Sequence, residues 1–108
     1  MMNNVPMTAF GIPADALEKI CKVLAGCPAV QSASIYGSRA RGTARSSSDI
    51  DIALVGATLS HEHQAALTNA LDDLLLPWKT DLCIVSKIED EALLANIRQD
   101  GKVIYRQK

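Results

Sequence analysis

The chain has 108 residues, 48% of them hydrophobic, and a formal net charge of −1 at pH 7. This length suits one domain with one modest core, and the lack of a basic excess argues against sequence-independent binding of nucleic acid. No apolar run reaches the roughly 20 residues of a membrane helix, and the opening MMNNVPMTAFGIP lacks the features of a secretory signal, so we expect a cytoplasmic protein without membrane attachment.

The first predicted element is a helix that opens the folded domain. We expect residues 1–12 to be loosely ordered and residues 13–108 to form a single domain. Pro13 suits the first turn of a helix. Apolar residues then recur at helical spacing until Gly26-Cys27-Pro28 ends the pattern.

Two strands with a tight connection follow. Residues 30–36 alternate small and apolar side chains, and residues 49–55 form an aliphatic run that ends at a glycine, so both segments predict strands. Gly37 and Gly42 punctuate the connection, with room for one helical turn between them.

The next predicted helix has a recognisable start. Ser60 can cap a helix from 61 to about 75, and Pro77 ends it. The apolar residues expected to face inward are Ala66, Leu67, Ala70, Leu71, Leu74 and Leu75. A third strand is predicted at 79–85 because TDLCIV forms its centre.

The last quarter of the chain predicts a helix and a short strand. Ser86 and Glu89 have the spacing of a capping box for a helix that runs to Asp100. Gly101 would stop it, and residues 102–105 would add a strand. The order helix, strand, turn, strand, helix, strand, helix, strand predicts an α/β (α+β) domain with helices packed on a small sheet of about three or four strands.

Two like charges in the second strand need a physical explanation. Side chains alternate along a strand, so Asp49 and Asp51 would share one face while Ile50 and Ile52 occupy the other. Two carboxylates at such a short distance repel each other, and each resists desolvation. A divalent cation relieves both penalties. An Asp-x-Asp pair also occurs on solvated edge strands, so the pair alone leaves both explanations open.

Topology brings a third carboxylate into the argument. A short connection favours antiparallel pairing of the first two strands, and a helical connection favours a parallel crossover to the third. Asp81 would then sit at the same depth as Asp51, near Gly37-Ser38. Three acids beside a glycine-serine turn are typical of two-metal phosphoryl chemistry, with the acids predicted to hold Mg²⁺.

The connecting loop has features of a phosphate site. Gly37 lets the backbone approach a phosphate closely, and Ser38 offers a hydroxyl. Arg39 and Arg45 are candidate nucleotide-binding residues, although arginines on an exposed loop are often simply solvated, and Arg41 is a weaker candidate.

Other conspicuous residues have structural explanations. The three cysteines, Cys21, Cys27 and Cys83, fit neither a zinc site nor a redox pair, and we expect reduced, packed thiols. Trp78 suits a packing anchor, with contact to a partner protein as the alternative.

The spacing Gly37-Ser38, ten residues, Asp49-x-Asp51 resembles the signature of the DNA polymerase β-like nucleotidyltransferase superfamily. The string GSRARGTARSSSDIDI is similar to its minimal nucleotidyltransferase branch, and the resemblance extends over about residues 13–105. It implies a nucleotidyltransferase fold with a mixed sheet, and transfer of a nucleoside monophosphate from an NTP, by default ATP, with two Mg²⁺ ions.

The resemblance also implies roles for individual residues. Asp49 and Asp51 resemble the acids that bind both metals, and Asp81 resembles the third acid, which helps deprotonate the attacking hydroxyl. Gly37 and Ser38 resemble the triphosphate-binding pair. No member of this set is missing, so an active enzyme is expected.

The resemblance further implies a partner. Larger relatives have a second domain that completes the acceptor site, and here we expect a dimer mate or a partner chain to supply it. In the minimal branch the partner is a small all-helical HEPN-class protein encoded nearby, whose tyrosine is adenylylated in an antitoxin-like role. Two alternatives stay open: transfer to a small molecule such as an aminoglycoside, and a non-catalytic binding module that neutralises its partner by contact.

Overall fold

The computed structural model describes residues 8–45 and 47–108, which hold four α-helices and four β-strands in the predicted order. The helices are α1 (Ala14–Ala25), α2 (Ser38–Arg41), α3 (His61–Asp72) and α4 (Glu91–Asp100). The strands are β1 (Ser32–Tyr36), β2 (Ile50–Val55), β3 (Thr80–Ile84) and β4 (Lys102–Arg106). A short 3₁₀ turn, Val85–Lys87, follows β3.

The four strands form one mixed sheet in the order β3-β2-β1-β4. β1 runs antiparallel to both β2 and β4, whereas β2 and β3 are parallel and α3 lies in the connection between them. The predicted α/β class, the mixed sheet and both pairing directions are therefore confirmed.

The core lies between one face of this sheet and the helices α1 and α3. Alternate residues of β2 supply its centre, and Ile50, Ile52 and Leu54 are fully buried. α1 contributes Ile20 and Leu24, which are also fully buried. Because strand side chains alternate, Asp51 projects from the opposite face, where it is only half-buried.

The segment before residue 13 includes a turn that contacts the core, and the domain boundary predicted at residue 13 stays a prediction. Residues 1–7 of the segment expected to be loosely ordered lie outside the described residues. Thr8–Ile12 forms a turn in which the Thr8 hydroxyl and backbone N–H both donate to the Ile12 carbonyl, at 2.7 and 2.9 Å. Ile12 is fully buried in the core, so this turn packs against the rest of the described chain.

α3 ends at Asp72, three residues before the predicted end. The next turn has i→i−3 hydrogen bonds from Leu74 to Leu71 and from Leu75 to Asp72, and Leu75 adopts a φ of 55° with 88% of its surface exposed. Leu67 and Leu71 face the core as predicted, whereas Leu75 and Ala66 are exposed. The tight turn explains the exposure of Leu75, because it rotates this residue off the helical face.

α4 starts later than predicted and has a different cap. Ser86 lies in the 3₁₀ turn, and Asp90 is the N-cap residue, whose carboxylate accepts hydrogen bonds from Ala92 and Leu93 at 2.9 and 3.3 Å. The predicted capping box of Ser86 and Glu89 is therefore wrong, because the chain leaves β3 through a 3₁₀ turn before the helix can begin.

Two expectations from composition can be compared with the described residues. In the ranges 8–45 and 47–108, no helix has the length and apolar character that a membrane span requires. The three cysteines are free thiols, as predicted.

Candidate active site

The carboxylates of Asp51 and Asp81 lie side by side on the sheet face opposite the core. The two residues are register partners in the parallel strands β2 and β3, so their side chains project in the same direction from neighbouring positions. The prediction that they lie at the same depth is confirmed. Asp81 is exposed and Asp51 is half-buried, so this face is accessible to a ligand.

The negative charge of Asp49 also acts on Asp51. Burial is the main cause of a raised pKa at Asp51, and the negative charges of Asp81 and Asp49 raise that pKa further, while Arg39 opposes them. Asp49 precedes the first residue of β2 and is exposed. The charges of Asp49 and Asp81 therefore act on Asp51 in the folded chain, and with its burial they make Asp51 harder to ionise than an exposed aspartate.

The backbone of Gly37 lies close to the carboxylate of Asp51. Tyr36, the residue before it, is the register partner of Asp51 across β1 and β2. Gly37 has a φ of 76° and a ψ of −151°, and a Cβ added here would lie 2.8 Å from Asp51 Oδ2. This backbone region is almost restricted to glycine. Glycine at this position therefore permits both the turn and the close approach of the carboxylate.

The Gly-Ser turn continues into one helical turn, as predicted. Ser38 is the first residue of α2, and the Arg41 N–H closes the turn on the Gly37 carbonyl at 3.1 Å. Gly42 ends α2 with a left-handed φ of 77°. The first amides of any helix lack acceptors within it, which makes the backbone after Gly37 suitable for oxygen ligands.

The three arginines of the loop have different surroundings. Arg39 is 2% exposed, and its guanidinium donates hydrogen bonds to backbone carbonyls. Its contact with a nucleotide stays a prediction. Arg41 forms an ion pair with Asp100 of α4 at 3.1 Å. Arg45 is exposed at the mouth of a cavity of about 380 Å³ between its loop and Thr8–Gly11.

A contact between Tyr36 and Cys83 was missed by the sequence reasoning. The Tyr36 hydroxyl lies 3.5 Å from the Cys83 Sγ, on the face that carries Asp51 and Asp81. Burial and this contact raise the pKa of Tyr36, and burial raises the pKa of the Cys83 thiol, so both groups stay protonated at neutral pH. The pair follows from strand alternation only when the registers of β1 with β2 and of β2 with β3 are both known.

The acids offer donor atoms that fit Mg²⁺. Within the described residues, no three His, Cys, Asp or Glu side chains converge closely enough to form a metal site by themselves. Mg²⁺ does not require such a cage, because it usually takes one or two carboxylates and completes its shell with water and substrate phosphates. The adjacent carboxylates of Asp51 and Asp81, with Asp49 nearby, match that requirement.

Comparisons with known proteins identify the family. The family described as "Polymerase beta, Nucleotidyltransferase" matches residues 18–108, so the chain belongs to this family of nucleotidyltransferases. The resemblance stated from the loop and the acid pair is thereby confirmed. No curated protein sequence matches the chain.

Solved structures agree with this assignment. The chain is 29% identical to a chain in a toxin–antitoxin crystal structure with AMP-PNP, with a TM-score of 0.70 over 85% of this chain and 74% of the other. It is 26% identical to a chain in the structure of a tri-AMPylated Shewanella oneidensis HEPN toxin in complex with an MNT antitoxin, with a TM-score of 0.65 over 85% of this chain and 71% of the other. A 22% identical putative nucleotidyltransferase from Sulfolobus solfataricus shares the fold, with a TM-score of 0.54 over 85% of this chain and 78% of the other.

Proposed function

We propose that this chain transfers AMP from Mg²⁺-bound ATP to a tyrosine hydroxyl of a HEPN-class partner protein and so acts as the antitoxin of a pair. The observation that carries the proposal is the register pairing of Asp51 with Asp81 directly beside Gly37, in a chain of the polymerase β nucleotidyltransferase family. This arrangement offers carboxylate oxygens for a metal next to a backbone turn open to phosphate.

Each residue of the site has a role in this proposal. Asp49 and Asp51 hold Mg²⁺ together with the triphosphate, and Asp81 completes the set where the acceptor hydroxyl approaches. Gly37 and Ser38 cradle the β- and γ-phosphates, with Arg45 at the loop mouth as a further phosphate contact. When bound, the metal ions lower the pKa of the attacking hydroxyl and stabilise the charge that develops on pyrophosphate.

The reaction is an in-line displacement at the α-phosphorus. The acceptor oxygen forms a bond to the α-phosphorus, the bond to the bridging oxygen of the β-phosphate breaks, and pyrophosphate leaves. The proton of the hydroxyl passes toward Asp81. The half-buried Asp51 favours a bound cation, because burial and two neighbouring carboxylates already penalise its ionised form.

The nucleotide and the partner rest on structural relatives. One similar chain comes from a toxin–antitoxin complex with AMP-PNP, and another from a complex whose HEPN toxin has been AMPylated. Both relatives support adenine as the base, and the second supports a HEPN protein as the acceptor. The exposed position of Asp81 is compatible with an acceptor that a second protein presents.

A reconstituted transfer assay tests the proposal. The chain is incubated with labelled ATP, Mg²⁺ and the HEPN-class product of a neighbouring gene, and the labelled residue is identified by mass spectrometry. Label on a tyrosine of that protein supports the proposal. Label on an aminoglycoside-like alcohol would indicate a small-molecule enzyme instead. An intact complex without label would indicate a non-catalytic binding module.

A further inference from the structure

Arg39 is a buried charge whose donors all point toward the chain. It is 2% exposed and is among the largest fully buried side chains of the described residues. Its Nε and Nη2 atoms both donate to the Ser48 carbonyl, at 3.1 and 2.6 Å. Its Nη1 donates to the carbonyls of Phe10 and Gly11, at 3.0 and 3.3 Å. One guanidinium thus joins α2 to two separate loops.

The first of these loops delivers an acid of the candidate site. Ser48 immediately precedes Asp49 in the chain, and Arg39 follows Gly37-Ser38. Two donors converging on one carbonyl fix both its position and its direction, as a planar guanidinium can and an ammonium cannot. The hydrogen bonds therefore hold the start of the Asp49 segment at a set distance from the Gly-Ser turn.

Arg39 also contacts Trp78, which lies just before β3, the strand that carries Asp81. The guanidinium carbon of Arg39 lies 5.6 Å from the centre of the Trp78 ring, within the range of a cation–π contact. The next residue, Lys79, accepts a hydrogen bond from the Ile50 N–H at 2.8 Å, which ties this segment to the start of β2. The chain segments that precede Asp49 and Asp81 therefore both contact Arg39.

We propose that Arg39 is a positioning residue that holds the segments leading to Asp49 and Asp81 in register with the Gly37-Ser38 turn. This inference rests on the proposed function for its catalytic meaning, but its structural content can be measured without catalysis. It differs from the direct nucleotide contact predicted from the sequence, because Nε, Nη1 and Nη2 of Arg39 donate to backbone carbonyls of the protein.

The variant Arg39→Lys tests this role, because it retains the positive charge and removes the planar guanidinium that donates to several carbonyls at once. Backbone amide hydrogen exchange is measured at Ser48, Ile50 and Gly11, whose N–H groups all bond within the joined segments. Loss of a charge-assisted hydrogen bond should accelerate exchange at these amides by about tenfold or more. Amides of α3 should be unaffected. Lys22→Gln is the matched control, because Lys22 is a cation on α1 with a side chain that is 77% exposed.

Transfer kinetics give the second readout. Misplaced acids should lower kcat at least tenfold while the KM for ATP changes less than twofold, whereas a direct phosphate contact would chiefly raise the KM. Failure of the wild-type chain to transfer any nucleotide would overturn the proposed function but leave the exchange result standing.

If Arg39→Lys does not fold, Trp78→Leu replaces it, with an expected two- to threefold acceleration of amide hydrogen exchange at Ile50. Unchanged exchange at Ser48 and Ile50 in a folded variant, or a change in KM alone, would overturn the inference.

Discussion

Asp51 and Asp81 are register partners on two parallel strands, so their carboxylates project from neighbouring positions on the same accessible face of the sheet. Burial of Asp51 adds to their repulsion, and together these effects raise its pKa. Folding of the metal-free chain therefore proceeds against an electrostatic penalty at this site. The penalty has measurable consequences that do not depend on catalysis.

The first consequence is a pH-dependent stability difference between the wild type and Asp51→Asn. The folded state binds the Asp51 proton more tightly than the unfolded chain, so ionisation of this carboxyl disfavours folding. The wild-type free energy of unfolding should fall relative to the variant as pH rises from the ordinary Asp value of 3.8 through the raised pKa, and then stay constant. Urea unfolding in EDTA from pH 3 to 7 measures this difference. A stability difference between the two proteins that stays constant from pH 3 to 7 would contradict this prediction.

Mg²⁺ should stabilise the wild-type chain. At ten times its dissociation constant, a ligand that binds only the folded state adds about 1.4 kcal/mol, which corresponds to a rise in Tm of about 5–10 °C for a domain of this size. Thermal unfolding with and without Mg²⁺ measures the shift. Asp51→Asn should lose most of this stabilisation, whereas Asp81→Asn should keep part of it, because Asp49 and Asp51 remain. Equal shifts in all three proteins would show that Mg²⁺ acts elsewhere.

Two glycines with similar φ values provide a matched pair. Gly42→Ala places a Cβ in open space, and its left-handed φ of 77° should cost about 1 kcal/mol. Gly37→Ala adds a Cβ at 2.8 Å from Asp51 Oδ2 in a region almost restricted to glycine, so we expect a loss of about 2–3 kcal/mol and displacement of the carboxylate. Chemical denaturation gives both values. Only Gly37→Ala should also abolish Mg²⁺ stabilisation, and retention of that effect would refute the close approach.

The start of α4 distinguishes the observed cap from the predicted one. Asp90→Ala removes the acceptor for the Ala92 and Leu93 amides and should destabilise the domain by about 1 kcal/mol. Ser86→Ala should be nearly neutral, because Ser86 is exposed in the 3₁₀ turn and α4 starts at Glu91. Denaturation of both variants tests the assignment. The reverse ranking would restore the capping box predicted from the sequence.

Much of the sheet could be predicted because its signals are local. Alternation fixed the faces of β2, and connection lengths indicated which strands are parallel, which was enough to bring Asp51 and Asp81 together. The positions of the helix ends at Asp72 and Asp90 depend on how the chain turns back to the sheet. That geometry is tertiary, and a capping pattern alone cannot reveal it.

The environment of Arg39 shows why part of the site was hidden from the sequence. An arginine beside a Gly-Ser turn has the composition expected of a phosphate ligand, yet the side chain is buried against loops about 10 and 30 residues away in the chain. Nothing local in the sequence records the Ser48, Phe10 or Gly11 carbonyls that accept its hydrogen bonds. The Tyr36–Cys83 contact is likewise a product of the register of three strands.

The most direct test of the central claim is transfer of labelled AMP by wild-type and Asp81→Asn proteins to the HEPN-class partner, with ATP binding measured in parallel. The account predicts that Asp81→Asn abolishes transfer while ATP binding with Mg²⁺ stays close to wild type, because Asp49, Asp51 and the Gly37-Ser38 turn still hold the nucleotide. Wild-type turnover in a correctly folded Asp81→Asn protein would contradict the account.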